Sequence, residues 1–535
     1  MATLLPPPKR PKLYHGIPEP EKVVPPPAPN VVVQFVNEDD QRGLAPAIQL
    51  PANASREDLE LLVNKLSTKD DDEPIPYSFH IVLPAPKDGT SSKPTRVVIK
   101  KSIDEDILSN PTHDLTAEDK FVVVCTPQAV FRVRPATRCS SSLNGHSSPI
   151  LCAAFSPTGD SLATGSGDCT ARLWDLNSET PSHTLSGHKG WVLCVEWEGR
   201  ARRLATGGHD GHVRLWDPKT GAPAGDALKG HSKWVTSLAW EPIHINAANP
   251  RLASSSKDGT VRVWDPATRR LIYTLGGHTA SVNCVKWGGA GVGGKGALYT
   301  ASSDRTVKVW DPSGRLLHTL KDHAHWVTTI TLNTDFVLRT GPFDHTTKKP
   351  ASDEEAQAWA LKRYNTVLAT TPELLISGSD DHTLFLWSIF PGRTGDEAAG
   401  SQAKGDAAER GGKLKPISRL TGHQKQVAHV VFSPDGRWAA SASWDSSVRV
   451  WDGRTGKFVA TLRGHVGAVY RLTWSADSRL LVSGSKDSTL KIWDLKTYKI
   501  KTDLPGHTDE VYCVDFVADK IVSGGRDKVV KIWKN

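Results

Sequence analysis

"GHVGAVYRLTWSADSRLLVSGSKDSTLKIW", residues 464–493, is one copy of a pattern that the chain repeats. It opens on Gly464-His465, carries Ser483 and Asp487, and closes an alternating apolar run on Trp493. The Asp stands six residues before the Trp and the hydroxyl ten before it. From residue 136 onward the same offsets recur around Trp174, Trp216, Trp264, Trp310, Trp387, Trp451 and Trp533. The acids are Asp168, Asp210, Asp258, Asp304, Asp381, Asp445 and Asp527, and the hydroxyls Thr164, Thr206, Ser254, Thr300, Ser377, Ser441 and Ser523. Gly-His opens each unit except the fifth, where Asp322-His323 takes its place. A His, a hydroxyl, an Asp and an indole N–H can form a hydrogen-bonded chain across a small sheet, satisfying polar groups that burial would otherwise strand. The same set suggests a hydrolase triad, but eight copies with a Trp at fixed offset indicate a structural device.

A period of roughly 40–48 residues with these signatures resembles the WD40 repeat. The resemblance implies a mainly β fold, a propeller of eight four-stranded blades over residues 137–535. "TRCSSSL" (137–143) is strand-compatible and is expected to complete the eighth blade, leaving no free edge. Two insertions break the period, at about 333–372 and 390–415. The first contains "SDEEAQAWALKRY", read as a helix with Ser352 as N-cap and Glu355 at the capping-box position. The second is Gly/Ala/charge-rich and is expected to be disordered. By repeat topology both leave the same rim, and the first is expected to be ordered enough to bind something. Cys152, Cys194, Cys284 and Cys513 each lie six residues after a repeat His and are expected to be buried, inert strand thiols. "GAGVGGKG" (289–296) resembles a phosphate-cradling loop, but Gly296 stands where a hydroxyl would be needed and "ALYTASSD" continues as a strand, so it reads as a hairpin loop. No intrinsic metal or cofactor motif survives the same test, and enzyme activity is not expected.

The formal charge of +8 is unevenly spread. Residues 31–135 hold 12 Lys+Arg against 17 Asp+Glu, a net −5, whereas residues 136–535 hold 50 against 39, a net +11. The basic part is suited to an anionic neighbour such as RNA, or to solubility alone. No apolar run is long enough to span a membrane, and the N-terminal stretch lacks a secretory apolar core, so an intracellular monomer without membrane contact is expected. Seven cysteines without a C-x-x-C pair argue against a zinc site or a disulfide framework.

Residues 1–30 form a Pro-rich leader expected to be disordered, with Lys9, Arg10 and Lys12 compatible with nuclear import. From Val31 the order is strand, strand, helix, strand, strand, strand. The helix "SREDLELLVNKLS" has Ser55 as cap, Asp58 three residues on, and Leu59, Leu62, Val63 and Leu66 on one face. "KFVVVCTP" (120–127) is the last strand, and this order is that of a ubiquitin-like β-grasp (α+β) domain over residues 31–126, with 127–136 as linker. Glu118 and Asp119 fall on the loop entering that last strand.

With "GHSKWVTSLAWEPIH", "RLASSSKDGT", "GPFDHTTKKP", "GHQKQV" and "LPGHTDEVYCVDF", this pairing of domains resembles the Notchless family from about residue 31 to the end. The resemblance implies a non-enzymatic assembly factor of the large (60S) ribosomal subunit in the nucleus and nucleolus. Its ubiquitin-like (NLE) domain would be gripped by the metal-ion-dependent adhesion site of the AAA ATPase midasin. A family Glu completing the partner's Mg²⁺ shell matches Glu118, with Asp119 and Asp114 as local competitors. The propeller would anchor on the pre-60S particle, that is on assembly factors, ribosomal proteins or rRNA. Trp191, Trp234 and Trp326, three residues after a repeat His, and Lys257, Lys486 and Arg526, just before a repeat Asp, are the candidates for that face. A WD40 scaffold or substrate receptor in ubiquitin ligation or Notch signalling is the competing reading.

Overall fold

The computed structural model describes residues 29–37, 46–67, 77–83, 95–99, 102–104, 120–127, 133–344, 348–369, 371–390 and 414–535. The chain divides into two compact units, residues 1–131 and 132–535.

In the first unit β1 (Asn30–Asn37), β2 (Ile48–Pro51), α1 (Arg56–Ser67), β3 (Tyr77–Leu83), β4 (Thr95–Val98) and β5 (Lys120–Pro127) follow in order. The sheet order is β2-β1-β5-β3-β4, with β1 and β5 parallel in register Val33↔Phe121 and the other pairs antiparallel. The last strand thus inserts beside the first, which is the β-grasp arrangement. Period-two alternation decides which side is covered: Val31, Val33 and Phe35 of β1 and Phe121, Val123 and Cys125 of β5 are buried. They pack against Leu59 and Val63 of α1 and Phe79 of β3. The α1 cap is reciprocal: the Asp58 amide donates to Ser55 Oγ at 3.2 Å and the Ser55 amide to the Asp58 carboxylate at 3.1 Å. Leu62 is partly buried on this core. The Leu66 side chain, the leader through residue 28, most of the 390–415 insertion, and Asp114, Glu118 and Asp119 lie outside the described residues.

The second unit is a ring of eight sheets. Blade one is built from Ile150–Phe155, Ser161–Ser166, Thr170–Asp175 and Thr180–Ser186, and the strand nearest the axis comes first in every blade. Blade eight takes its outer strand from Arg138–Leu143, antiparallel to Val530–Lys534 with Val530↔Leu143. The seam between first and last blades is reinforced by Glu179, which accepts from Ser140 and Ser141 and pairs with Lys534. Val133 and Ala136, read as linker from the sequence, are buried, and the Val133 amide donates to Asp477 of the propeller at 2.8 Å. The expectation of four strands per blade fails once: blade two is a sheet of three. Pro223, with no N–H, and Gly225, at φ 96, interrupt the segment that would be its fourth strand. That segment is reduced to the bridges Val213↔Leu228 and Trp216↔Pro223.

All eight polar chains form. In blade seven His465 Nδ1 lies 2.9 Å from the Asp487 carboxylate, His465 Nε2 2.7 Å from Ser483 Oγ, and Trp493 Nε1 donates to that hydroxyl at 2.8 Å. The long fifth unit repeats it, with His323–Asp381 at 3.1 Å, His323–Ser377 at 2.8 Å and Trp387–Ser377 at 3.0 Å. Burial alone pushes each of these Asp carboxyls up. Hydrogen bonds from the His, a hydroxyl and backbone amides outweigh it and hold Asp168, Asp210, Asp258, Asp304, Asp381, Asp445, Asp487 and Asp527 below the ordinary carboxylate range.

A group held below its unfolded pKa stabilises the fold above that value, and the contribution is lost as pH falls through the folded one. Asp487→Ala is expected to lower stability by about 1–3 kcal/mol in denaturant unfolding at pH 7. The deficit relative to wild type should shrink as pH falls below about 4, where Asp487 of the unfolded chain begins to bind a proton while the folded carboxylate does not, and should vanish as pH passes through the lower folded pKa.

Candidate interaction surface

The turns bearing the repeat His and Asp lie on one face of the ring, and the insertions leave from the other. On the His/Asp face Trp191, Trp234 and Trp326 are exposed to 55%, 39% and 52%. Trp191 and Trp234 are joined through His209, with ring centroids 5.9 Å and 4.1 Å apart, and Lys257 Nζ sits 4.0 Å over the Trp234 ring. Blades two and three therefore present one preassembled Trp–His–Trp–Lys cluster. Trp326 packs instead with its neighbour His325 at 5.2 Å, so the three predicted Trp do not form a single site. Lys486 and Arg526 are exposed cations that face acids on the same rim, Glu510 at 3.8 Å and Asp509 at 3.7 Å. These are loose, solvated pairs that yield readily to another anion.

Sequence reading missed His209 and Trp444, although both stand immediately before a repeat Asp, the position that singled out Lys257. Trp444 meets Tyr470 edge-on at 6.0 Å, and Tyr470 meets Tyr512 at 5.8 Å, forming a second aromatic arc across blades six to eight.

The opposite face is organised by the first insertion. Its segment α2 (Asp335–Thr340) precedes the helix α3 (Asp353–Leu368), which outlasts its predicted end and is capped as expected, Ser352 Oγ accepting from the Glu355 amide at 3.1 Å. Between α3 and the next strand, buried Glu373 accepts from Tyr299 Oη at 2.9 Å, from Tyr364 Oη and Thr334 Oγ1 at 3.0 Å each, and from the Gly289 and Ala290 amides at 3.0 and 3.2 Å. The loop that resembled a phosphate cradle does hold an acceptor group, but it is this carboxyl of the same chain, whose pKa burial raises. Tyr364 also stacks on His244 at 4.3 Å, and Asp353 pairs with Arg200 and Arg202. α3 and Glu373 thus spend these contacts on blades two, three and four.

Asp335 and Arg339 of α2 lie at the axis of the ring. Arg339 pairs with Asp515 on the inner strand of blade eight at 2.9 Å, and Asp335 lies 3.4 Å from Lys286 of blade four. They line the central cavity, of about 430 Å³, and close its end. Of the four repeat cysteines only Cys513 is buried; Cys152, Cys194 and Cys284 are half-buried on the cavity wall, which corrects the expectation for those three. A bulge at the same step of every inner strand, for example between Val192 and Cys194, turns all four toward the axis, where Cys513 alone is covered. Burial pushes the Cys152 thiol up to about 12 and raises those of Cys194 and Cys513 as well, so these three stay protonated. Among the described residues no group of three or more His, Cys, Asp or Glu is arranged to hold a metal ion.

The model of the WD domain, G-beta repeat, matches residues 137–175, 179–217, 225–265, 269–311, 414–452, 456–494 and 498–534, and that of the NLE (NUC135) domain matches residues 31–82. The repeat model passes over the fifth blade, whose His and Asp are separated by the insertion. Ribosome assembly protein 4 of Saccharomyces cerevisiae is 47% identical over 471 residues, covering 86% of this chain and 85% of that protein. The chain belongs to the Notchless family. Protein Notchless of Drosophila melanogaster is 45% identical over 414 residues, covering 76% and 75% of the two chains, and the Notchless protein homolog of Arabidopsis thaliana 45% over 429, covering 80% and 81%. Among solved structures, the computationally designed Ika8 protein is 26% identical, with a TM-score of 0.55 over 74% of this chain and 100% of that one. Within the Notchless family this chain therefore carries both the NLE domain and a ring of eight tetrads.

Removing one side of the α2 clasp strands a carboxylate inside the ring. Arg339→Ala is expected to cost on the order of 3 kcal/mol in urea unfolding. Arg339→Ala combined with Asp515→Ala should cost much less than the sum of the two single changes.

Proposed function

We propose that the protein is a non-enzymatic assembly factor of the large ribosomal subunit, whose propeller anchors on the precursor particle while its β-grasp domain is held by midasin. The observation that carries this reading is the kinship with yeast ribosome assembly protein 4 through both domains at 47% identity. The His/Asp face supports an anchoring role, because exposed Trp191, Trp234 and Trp326 and the cations Lys257, Lys486 and Arg526 can meet protein segments and rRNA phosphates. The expected place of action is the nucleus and nucleolus.

Glu118 is proposed to complete the Mg²⁺ shell of midasin's adhesion site. β5 opens at Lys120, two residues beyond it, and its buried Phe121 and Val123 tie the start of the strand into the core. Mg²⁺ accepts only near-octahedral oxygen ligands at about 2.0–2.1 Å, so a ligand shortened by one methylene cannot follow.

Glu118→Asp and Glu118→Ala in the full chain are both expected to abolish Mg²⁺-dependent binding to the adhesion domain of midasin, while Asp119→Ala preserves it. Titration with and without a chelator reads the result. Retained metal-dependent affinity in Glu118→Asp would assign the ligand to another residue. Co-purification of large-subunit precursors with the wild type tests the anchoring half, and a cullin or a receptor tail in their place would favour a ligase or signalling scaffold.

A further inference from the structure

Where other blades have an outer strand, it follows in the chain directly after the strand it pairs with, as Lys499–Leu504 follows Leu490–Asp494 in blade seven. The closing strand of blade eight, Arg138–Leu143, has no such link to its partner Val530–Lys534, because the two stand at opposite ends of the ring sequence. Its hold on the blade is noncovalent. Its side chains add little: Leu143, at the far end, is buried, whereas Arg138, Cys139 and Ser140, at the near end, are exposed. The bonds of an antiparallel pair lie across the strands, so a strand lifted from one end gives them up in sequence rather than together.

The near end is also where tension would arrive. Val133 follows the end of β5 at Pro127 by six residues. Chain of that length spans at most about 22 Å. When the β-grasp domain is held by one partner and the ring by another, any greater displacement is transmitted to Val133.

A separate fastening stands between this tether and the closing strand. Val133 and Ala136 are buried, the Val133 amide donates to Asp477 Oδ2 at 2.8 Å, and the Thr137 amide donates to the Lys534 carbonyl at 2.8 Å. Asp477 lies in the turn between the first two strands of blade seven, where Oδ1 accepts from Ser475 Oγ and from the Arg479 amide. That turn is bound to blade six, the Asp435 amide donating to Ser478 Oγ at 3.1 Å. On the other flank Glu179 of blade one accepts from Ser140 and Ser141 and pairs with Lys534. Tension entering at Val133 is thereby passed to blades seven and six before it reaches the first pair of the closing strand, Arg138↔Lys534.

Blade six carries the same turn, with Asp435 Oδ1 accepting from Ser433 Oγ and from the Arg437 amide. Both acids brace their own backbone. Of the two, that of blade seven also takes an amide from the segment ahead of the closing strand.

We propose that Val133, Ala136 and Asp477 form a tension-bearing fastening, which keeps the seam of the propeller closed when the β-grasp domain is drawn away from the ring. The occasion for such a pull rests on the reading that a partner holds that domain; the fastening itself does not. A charge-assisted hydrogen bond must break, and two apolar side chains must enter water, before any bond of the closing strand is loaded.

The test is single-molecule extension of the full chain at constant force, with one handle at Ala129 in the tether and the other at exposed Thr279 of blade four, across the ring from blade eight. A handle at Ala129 leaves the β-grasp domain out of the loaded path, so the outcome is independent of whether midasin binds. Release of residues 133–143 lengthens the chain by about 40 Å, which identifies the event. Asp477→Ala and Val133→Gly are each expected to raise the rate of that release at least about 10-fold over wild type. Asp435→Ala removes the matched turn brace in blade six and should raise it less than about threefold, with a comparable loss of melting temperature serving as the control for turn damage. A release rate indifferent to both Asp477 and Val133 overturns the proposal. So does equal acceleration by Asp435→Ala and Asp477→Ala, or a different part of the ring lengthening first in all four proteins.

Discussion

In every blade one hydroxyl joins two strands and a turn. Thr164 and its seven counterparts take an indole N–H from the Trp of the next strand and face the repeat His, whose other nitrogen faces the repeat Asp. The donor logic allows one arrangement for a neutral ring: Nδ1–H donates to the carboxylate, the hydroxyl donates to Nε2, and the indole donates to the hydroxyl oxygen. Burial keeps His146, His231 and His423 below the ordinary imidazole pKa, which suits that neutral form. The chain crosses from the third strand, which bears the Trp, to the turn before the innermost strand, so it ties the two together across the blade. Apolar packing is then shared between neighbours: Ala163, Leu173 and Leu185 of blade one bury against Val192, Val195 and Trp197 of blade two. A blade without its polar chain would lose both its own turn and the wall its neighbour packs on.

The ring gains a second constraint from the insertion of blade five. Ordinary blades touch only their neighbours, but α2 reaches the inner strands of blades four and eight through Lys286 and Asp515. α3 is pinned to blade two by Arg200 and Arg202 and, through Tyr364 and Glu373, to the Gly289–Ala290 turn of blade four. The insertion therefore ties together parts of the ring that repeat packing leaves independent. It also turns an open channel into a cavity open only toward the His/Asp face.

That face carries side chains of two kinds. The tetrads themselves are buried and closed on one another, and nothing in them is free to act on a ligand. Around them, at positions the fold leaves unspecified, the chain places Trp, Tyr, Lys and Arg, with Trp191–His209–Trp234–Lys257 on one side of the ring and Trp444–Tyr470–Tyr512 on another. Structure and recognition are thereby carried by different residues of the same turns, so the binding groups can vary without loosening the blades.

The sequence by itself determined the number of blades, the members of every tetrad, the strand that closes the ring, the β-grasp order and the α3 cap. Each of these rests on local spacing, and a side chain's strand, face and offset follow from periods of two or 3.6 residues. It did not show that blade two lacks a full fourth strand, because the loss comes from how Pro223 and Gly225 sit against Val213–Trp216 rather than from any missing tetrad residue. It could not show that Glu373 fills the Gly289–Ala290 turn, that Arg339 meets Asp515, or that Asp477 receives the Val133 amide. Those partners lie in other parts of the ring, from tens to more than a hundred residues apart in the chain, and only closure of the ring brings them together.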